Sequence, residues 1–360
     1  MAKSLSITVS NDLLRDRRMH RIAHCLQEEG YEVHLLGVQR KDSFALRLKK
    51  NYSQNRISPW FKKSALFYLE INIRFFFRLL KLRPSIVYAV DFDTLLANVF
   101  YKRLFQRKII FDAHEYFTEV PELSNQPFKK LVWHNIGRWG IKHCNLCLTV
   151  GTQLAKIFEK KYSHGFNPIF NVPYFHSKEH TKRTPTFIYL GDLNPGRGLE
   201  NCIRAMQHVD GELKIVGDGP MKQKLEILTK KLSLESKIKF TGYLLPEELS
   251  NELLSAQAGL NILDKSSLSY YYSLANKFFD YIHHGLPIIC SPFPEYVDLN
   301  KKFDVILPTE NSVAKIVDSM QNILSNDRKT EKLRKNCFKA AQKVNWQAEK
   351  IHLIKLINGI

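Results

Sequence analysis

The chain has 360 residues, 44% of them hydrophobic and 25% charged, which is long enough for two cores and too polar for a protein embedded in a membrane. No run of about 18 apolar residues occurs, so no segment reads as membrane-spanning. The opening stretch turns polar too soon for a secretory leader, and Leu5–Val9 reads as a first β-strand. The formal net charge of +19 informs about partners and not about fold.

Taken in order, short apolar runs alternate with amphipathic stretches of helical length, the pattern of parallel sheets with helical crossovers. The first strand leads into a helix over about Arg17 to Glu29, stopped by Gly30. Further strands are expected at Glu32–Leu36, Ile86–Ala89, Lys108–Phe111 and Leu146–Val150, with a weaker one at Ile169–Val172. Between Glu32–Leu36 and Ile86–Ala89, residues 41–83 hold eleven Lys and Arg against Asp42 and Glu70, interleaved with aromatic and aliphatic residues from Trp60 to Phe77. Basic and aromatic residues mixed on helices suit contact with an anionic membrane surface, and equally a core-facing helix with a solvated basic face. No nucleic-acid motif accompanies the charge, so nucleic acid is not expected as a partner.

Six cysteines stand at positions 25, 144, 147, 202, 290 and 337, mostly in apolar stretches, as reduced thiols of a cytoplasmic protein would. Cys144 and Cys147 form a C-x-x-C without a second pair, inside what reads as a buried strand, which favours packing over metal or redox chemistry. Residues 176–185 are polar and end in proline, and read as a linker between an N-terminal domain, 1–175, and a second strand–helix series, 186–340. That series has strands at Phe187–Leu190, Leu213–Val216, Ile238–Phe240, Gly259–Ile262, Ile288–Ile289 and Val305–Ile306. A helical stretch from about Ser312 to Ile357 closes the chain, its last part (341–360) placed to pack back on the N-terminal domain. Two doubly wound α/β domains result.

Such sheets bind ligands at the carboxyl ends of their strands. There lies Gly191-Asp192-Leu193-Asn194-Pro195-Gly196-Arg197-Gly198, whose glycines allow close backbone approach and whose Arg197 offers a permanent charge to an anion. After the next strand comes Gly217-Asp218-Gly219-Pro220, and after the one following, Thr241-Gly242-Tyr243. A helix in Ala275-Asn276-Lys277-Phe278-Phe279-Asp280 ends at Gly285, with Lys277 and Asp280 one turn apart. In the first half, Arg17 follows the first strand, Asp91-Phe92-Asp93 opens a helix, and Asp112-Ala113-His114-Glu115 ends a strand. His114 lacks a second histidine at helical spacing, so it is no zinc-protease signature.

In their order and separation the segments of the second half resemble the donor-binding half of retaining GT-B glycosyltransferases of family four, and the likeness extends over nearly the whole chain. The resemblance implies two Rossmann-like domains facing each other across a cleft. It implies a donor diphosphate held at Gly191, Gly196, Arg197 and Gly198, with Asp218 and Gly219 in the next turn and Gly242 and Tyr243 near the nucleobase. Ala275, Asn276 and Lys277 would complete the donor site, and Asp280 would bind the ribose hydroxyls. Asp-x-His-Glu at 112–115 is similar to a branch of the family in which a histidine, here His114, points at the reacting sugar; Arg17, Asp91, Asp93 and Glu115 would lie on the acceptor side. The sequence departs from the family pattern twice. Tyr272 stands where the first of two carboxylates eight apart is usual, and Asp192 stands where a basic residue is common.

The function implied is sugar transfer from a nucleoside diphosphate sugar to a hydroxyl of a glycan or lipid-linked glycan, with retention, in bacterial surface-polysaccharide synthesis at the inner face of the cytoplasmic membrane. No cofactor or metal is expected. A sugar-nucleotide epimerase of the same architecture, or a non-catalytic relative, is the alternative. A nicotinamide-dependent dehydrogenase is disfavoured because Ser10–Arg15 contains no glycine.

Overall fold

The computed structural model describes residues 3–14, 16–41, 43–46, 50–123, 125–176 and 183–360. The chain forms two compact units, Met1–Asn171 with Glu349–Ile360, and Val172–Ala348. Of the basic stretch 41–83, residues 42 and 47–49 lie outside the described residues, as do 177–182 of the expected linker.

The first unit has strands β1 (Ser4–Thr8), β2 (Glu32–Val38), β3 (Ser53–Ile57), β4 (Ile86–Val90), β5 (Lys108–Ala113), β6 (Leu146–Thr149) and β7 (Asn167–Pro168). Its helices are α1 (Arg17–Glu28), α2 (Ser64–Leu82), α3 (Asp91–Phe105), α4 (Pro127–Ile141) and α5 (Thr152–Tyr162). The strands form one parallel sheet in the order β3-β2-β1-β4-β5-β6-β7, with Leu5 of β1 opposite Val33 on one side and Ile86 on the other. The order reverses at β1 and β4, which opens a crevice at their carboxyl ends. Every residue of β4 is buried, as expected of a central parallel strand covered on both faces.

In the second unit the strands are β8 (Thr186–Leu190), β9 (Glu212–Val216), β10 (Ile238–Gly242), β11 (Ala258–Asn261), β12 (Ile288–Cys290) and β13 (Ile306–Pro308). Helices α6 (Leu199–Ala205), α7 (Lys222–Lys231), α8 (Pro246–Ser255), α9 (Leu268–Tyr271), α10 (Asn276–His283), α11 (Pro294–Phe303), α12 (Val313–Ser325) and α13 (Asp327–Lys343) follow, and α14 (Trp346–Asn358) closes the chain. This sheet is also parallel, in the order β10-β9-β8-β11-β12-β13, and reverses at β8 and β11. Its core packs Phe187, Ile215 and Leu260 of the strands against Leu199, Ile203 and Ile316 of the helices.

Four expectations need correction. β3 was not foreseen: Ser53-Gln54-Asn55-Arg56-Ile57 lacks alternation because it is an edge strand, paired with β2 alone. Residues 169–172 are not a strand: the Ile169 amide still donates to Thr149 O (2.8 Å), but side chains take up the Ile169 carbonyl and the Phe170 amide. Arg18 Nη1 donates to Ile169 O (2.6 Å), and the Phe170 amide donates to Glu349 Oε2 (2.9 Å). The chain passes between units at Asn171 and Val172, ahead of the expected linker. Residues 173–175 already bond the start of α14, through Trp346 N to Pro173 O and Phe175 N to Gln347 Oε1, each 2.9 Å. The closing helical stretch is three helices, α12 to α14, restarted at Asn326, whose side chain caps α13, and at Asn345, which accepts the Ala348 amide. Residues 349–360 belong to the first unit, where Lys350 pairs with Glu28.

All six cysteines are buried and free. Among the described residues no helix is long and apolar enough to cross a membrane.

Candidate functional site

In the second unit the loops after β8, β9 and β10 are laced together through backbone hydrogen bonds. Gly191 N donates to Val216 O (2.9 Å), Leu193 N to Asp218 O (2.9 Å) and Gly217 N to Gly242 O (2.8 Å). Gly217 has a φ of +135°, and a Cβ there would lie 2.1 Å from the carbonyl oxygen of Gly191. Its absent side chain therefore admits the neighbouring loop, which the sequence alone could not distinguish from admitting a ligand. Gly219 meets Leu193 in the same way, and Gly198 meets Ile262 and Gly196 the Tyr270 ring. Gly242 faces open space. Asp218 accepts the Gly219 amide (2.7 Å) and stands 3.6 Å from Lys222, so its carboxylate serves the turn. Tyr243 is half exposed and donates to Asp192 Oδ1 (3.2 Å).

Two basic side chains, Lys277 beside Gly191 and Arg197, lie within electrostatic reach of each other. Lys277, in the first turn of α10, is 7% exposed, and its Nζ has no hydrogen-bond partner among the described residues. The amine lies 3.5 Å from the centre of the Tyr189 ring, and its end comes within 3.6 Å of where a Cβ on Gly191 would stand. Burial, and then the charge of Arg197, push its pKa well below the ordinary lysine value. The guanidinium of Arg197 lies 4.5 Å from the Tyr270 ring centre, and its buried Nε likewise lacks a partner among the described residues. Lys277, one turn before Asp280 on α10, is thus a buried amine on an aromatic face. Ala275 caps α10, its own amide donating to Tyr296 Oη (3.0 Å), and Asn276 is exposed at the first helical position. Asp280 is partly buried one turn on. Tyr272 ends the single-turn helix α9 with its ring 4.9 Å from that of Tyr271.

The first unit holds a different constellation at the ends of β4 and β5. Asp112 is buried and accepts from Arg18 Nε and Nη2 (2.9 Å each), from Tyr88 Oη (2.7 Å) and from His114 Nε2 (3.3 Å). Burial alone would raise its pKa, but the charges of Arg18 and His114 hold it well below the usual carboxylate range. His114, about a quarter exposed, has its backbone amide bound by Asp91 Oδ1 (2.9 Å) and its Nδ1 3.9 Å from Asp91 Oδ2. Burial would lower the His114 pKa; the carboxylates of Asp112 and Asp91 outweigh it and raise it to about 9. The imidazole is therefore a cation at neutral pH.

Asp91 turns β4 into α3 with a φ of +56°, a left-handed conformation that strains most side chains and that Asp tolerates better. Burial raises its pKa to about 7, against the pull of His114. Asp93 is buried a half-turn on and raised to about 6, again by burial, with Ser10 opposing. Glu115 is exposed, and its charge adds to both shifts.

Arg17 is exposed; Arg18, beside it, is the arginine built into the network. Sequence reasoning missed Arg18, Tyr88, Tyr189 and Tyr270. For Arg18 a signal exists: it stands four before Ile22 on the buried stripe of α1. Among the described residues no group of three or more His, Cys, Asp or Glu is placed to hold a metal ion.

The model of the "Glycosyltransferase Family 4" domain matches residues 16–173, and that of "Glycosyl transferases group 1" matches 173–344. The chain is a family-four glycosyltransferase. Among curated proteins no sequence matches it. Its fold is similar to that of sucrose-phosphate synthase from Thermosynechococcus elongatus, with a TM-score of 0.85 at 14% identity, covering 99% of this chain and 98% of that one. HepE from Anabaena, solved with UDP and glucose, matches with a TM-score of 0.77 at 12% identity over 100% of both chains. A glycosyltransferase from Rickettsia africae matches at 0.75 and 11%, over 99% of this chain and 97% of the other. At these identities the likeness concerns the fold, which is GT-B with a parallel-sheet Rossmann-like domain in each half. The enzyme is thus a nucleotide-sugar-dependent transferase.

Proposed function

We propose that this glycosyltransferase carries a sugar from a nucleoside diphosphate sugar to a hydroxyl of a glycan or lipid-linked glycan, with the anomeric configuration retained. The setting proposed is surface-polysaccharide synthesis at the inner face of the cytoplasmic membrane, with residues 41–83 toward anionic lipid. The observation that carries the donor site is a pair of basic groups, the buried amine of Lys277 beside Gly191 and the guanidinium of Arg197, whose Nζ and Nε have no hydrogen-bond partner among the described residues. Such a pair is costly to hold without an anion and is matched by a diphosphate. Lys277 also supplies the charge that Asp192 withholds at the place where the family often carries a basic residue.

When the sugar departs, negative charge grows on the diphosphate, and the task of the protein is to stabilise it. Arg197, Lys277 and the first amides of α10 do so without a metal ion. Loss of activity on EDTA treatment, restored by Mg²⁺, would overturn that part of the reading. Retention follows if the acceptor hydroxyl attacks on the face the diphosphate leaves, its proton passing to the departing phosphate oxygen; no protein nucleophile is then required, in keeping with Tyr272 in place of a carboxylate. His114, positively charged, hydrogen-bonds the reacting sugar. Asp280 binds the ribose.

The test is a thermal shift with UDP, GDP, ADP and their sugars, UDP first because it is the nucleotide seen in HepE. Ligand at about 100 times its dissociation constant stabilises by roughly 2.7 kcal/mol. A shift with one diphosphate nucleotide that disappears in Asp280→Ala supports the donor site. Indifference to all of them removes it.

A further inference from the structure

Along α2 the residues Leu66, Leu69, Ile73 and Phe77 recur at three- and four-residue spacing, and each is 48–63% exposed. Their neighbours Phe67, Ile71 and Phe75 already supply the buried face of that helix. α2 therefore has two apolar stripes, of which the fold of this unit uses one. The exposed stripe does not stand alone. α3 packs against both α2 and α4, and contributes exposed Phe100 and Leu104; α4 contributes Phe128 and Leu131. Aromatic pairs join the helices, with Tyr68 to Trp133 at 4.9 Å and Phe100 to Trp139 at 5.6 Å between ring centres. An apolar surface spread over three adjacent helices exceeds the scattered exposure normal in a monomer.

Beside the middle of α2, Trp60 is 82% exposed yet held in place. The buried carboxylate of Glu70 accepts the backbone amides of Trp60 and Phe61, each at 2.9 Å, and pairs with Arg74 at 2.7 Å. Arg74 in turn lies 4.8 Å from the Trp60 ring centre. A buried acid is thus used to fix the backbone beneath an indole presented to solvent.

We propose that the α2–α3–α4 face is a docking surface for an anionic lipid bilayer, with Trp60 and the outer stripe of α2 entering the interface. Charge complementarity selects this occupant. Among the described residues of these three helices no carboxylate is exposed: Glu70 and Asp93 are buried and Asp91 is mostly so. Arg78, Lys81, Arg103, Lys129 and Arg138 are exposed on them. Apolar side chains flanked by cations match the headgroup and acyl layers of an anionic membrane. A second copy of the chain would set cations against cations, and a nucleic acid would leave the aliphatic stripe in water. The inference deepens the reading of a lipid-linked acceptor and extends the contact beyond residues 41–83 to α3 and α4.

The deciding measurement is flotation of the whole protein with vesicles of phosphatidylcholine alone and of phosphatidylcholine mixed with phosphatidylglycerol. Flotation with the mixed vesicles only, weakened by salt and accompanied by a blue shift of tryptophan emission, is the expected result. The double variant W60S/F77S should lose about tenfold or more in partitioning, and L104S/F128S should lose partitioning as well. Both pairs are exposed, and their melting curves report whether the fold is kept. Equal flotation on neutral vesicles, or wild-type behaviour of both double variants, overturns the proposal. So does self-association in sedimentation that the same substitutions relieve, which would assign the face to a second copy. UDP-dependent thermal shift of W60S/F77S, measured in parallel, reads the donor site separately, so failure of the membrane face and failure of the transferase reading are told apart.

Discussion

In the first unit the buried guanidinium of Arg18 meets Asp112 in bidentate geometry, and Tyr88 and His114 complete the carboxylate's bonds. In the second, the buried amine of Lys277 meets an aromatic face and a second cation. The two regions bury similar charges to opposite effect. The first is neutralised from within and holds His114 in its charged form at a fixed place. The second is left short of negative charge, as the proposed donor site requires. Stability is invested in the first and withheld from the second.

Five experiments would break or sharpen that contrast. Arg18→Met leaves Asp112 buried without its main counter-charge and should cost about 3–5 kcal/mol of unfolding free energy; an unchanged urea midpoint would mean the network is not self-neutralising. Arg197→Ala should lower turnover roughly a hundred-fold with little change in melting temperature, and a loss under about threefold would remove Arg197 from charge stabilisation. Lys277→Met should act in two directions. It weakens donor binding, yet raises the melting temperature of the ligand-free enzyme by about 2–4 °C, because an apolar side chain of similar length replaces an unpartnered amine. A lower melting temperature would show that the amine is already satisfied. Burial depresses Lys277 in the unaltered enzyme and a facing diphosphate would favour its charged form, so proton uptake on donor binding is the expected result. Affinity for the sugar nucleotide then falls as pH rises, and calorimetry in buffers of different ionisation heat counts the proton.

The smallest effect concerns His114. Its pKa in the folded protein is raised to about 9 from an ordinary 6.5, so the folded state binds the extra proton. The stabilisation is fully present below pH 6.5 and is lost as pH rises toward 9. Asp91, raised to about 7, acts in the same direction over the range below it. His114→Gln should flatten the alkaline part of the stability profile, and titration of the imidazole by NMR gives the value directly.

Much of the fold was legible because buried parallel strands are written as continuous apolar runs. β4 and β11 could be placed within a residue or two for that reason. The edge strand β3 was not, because a strand paired on one side and half exposed has no need of an apolar pattern. The glycine loops were legible as loops, but their purpose was divided. Gly217 and Gly219 serve contact between loops, while Gly191 borders the Lys277 amine. Arg17 and Arg18 are adjacent and chemically identical, and only the phase of α1 against the sheet sends one to solvent and the other to Asp112.

The sequence by itself determined the class of fold and the order of the buried strands with the helices between them, because backbone propensity and apolar periodicity are local properties. Tertiary structure decided which charges are satisfied. Whether Lys277 pairs with Asp280 or is buried over Tyr189, and whether His114 is neutral or charged, depends on groups far apart in the chain and on how much water the fold excludes from between them.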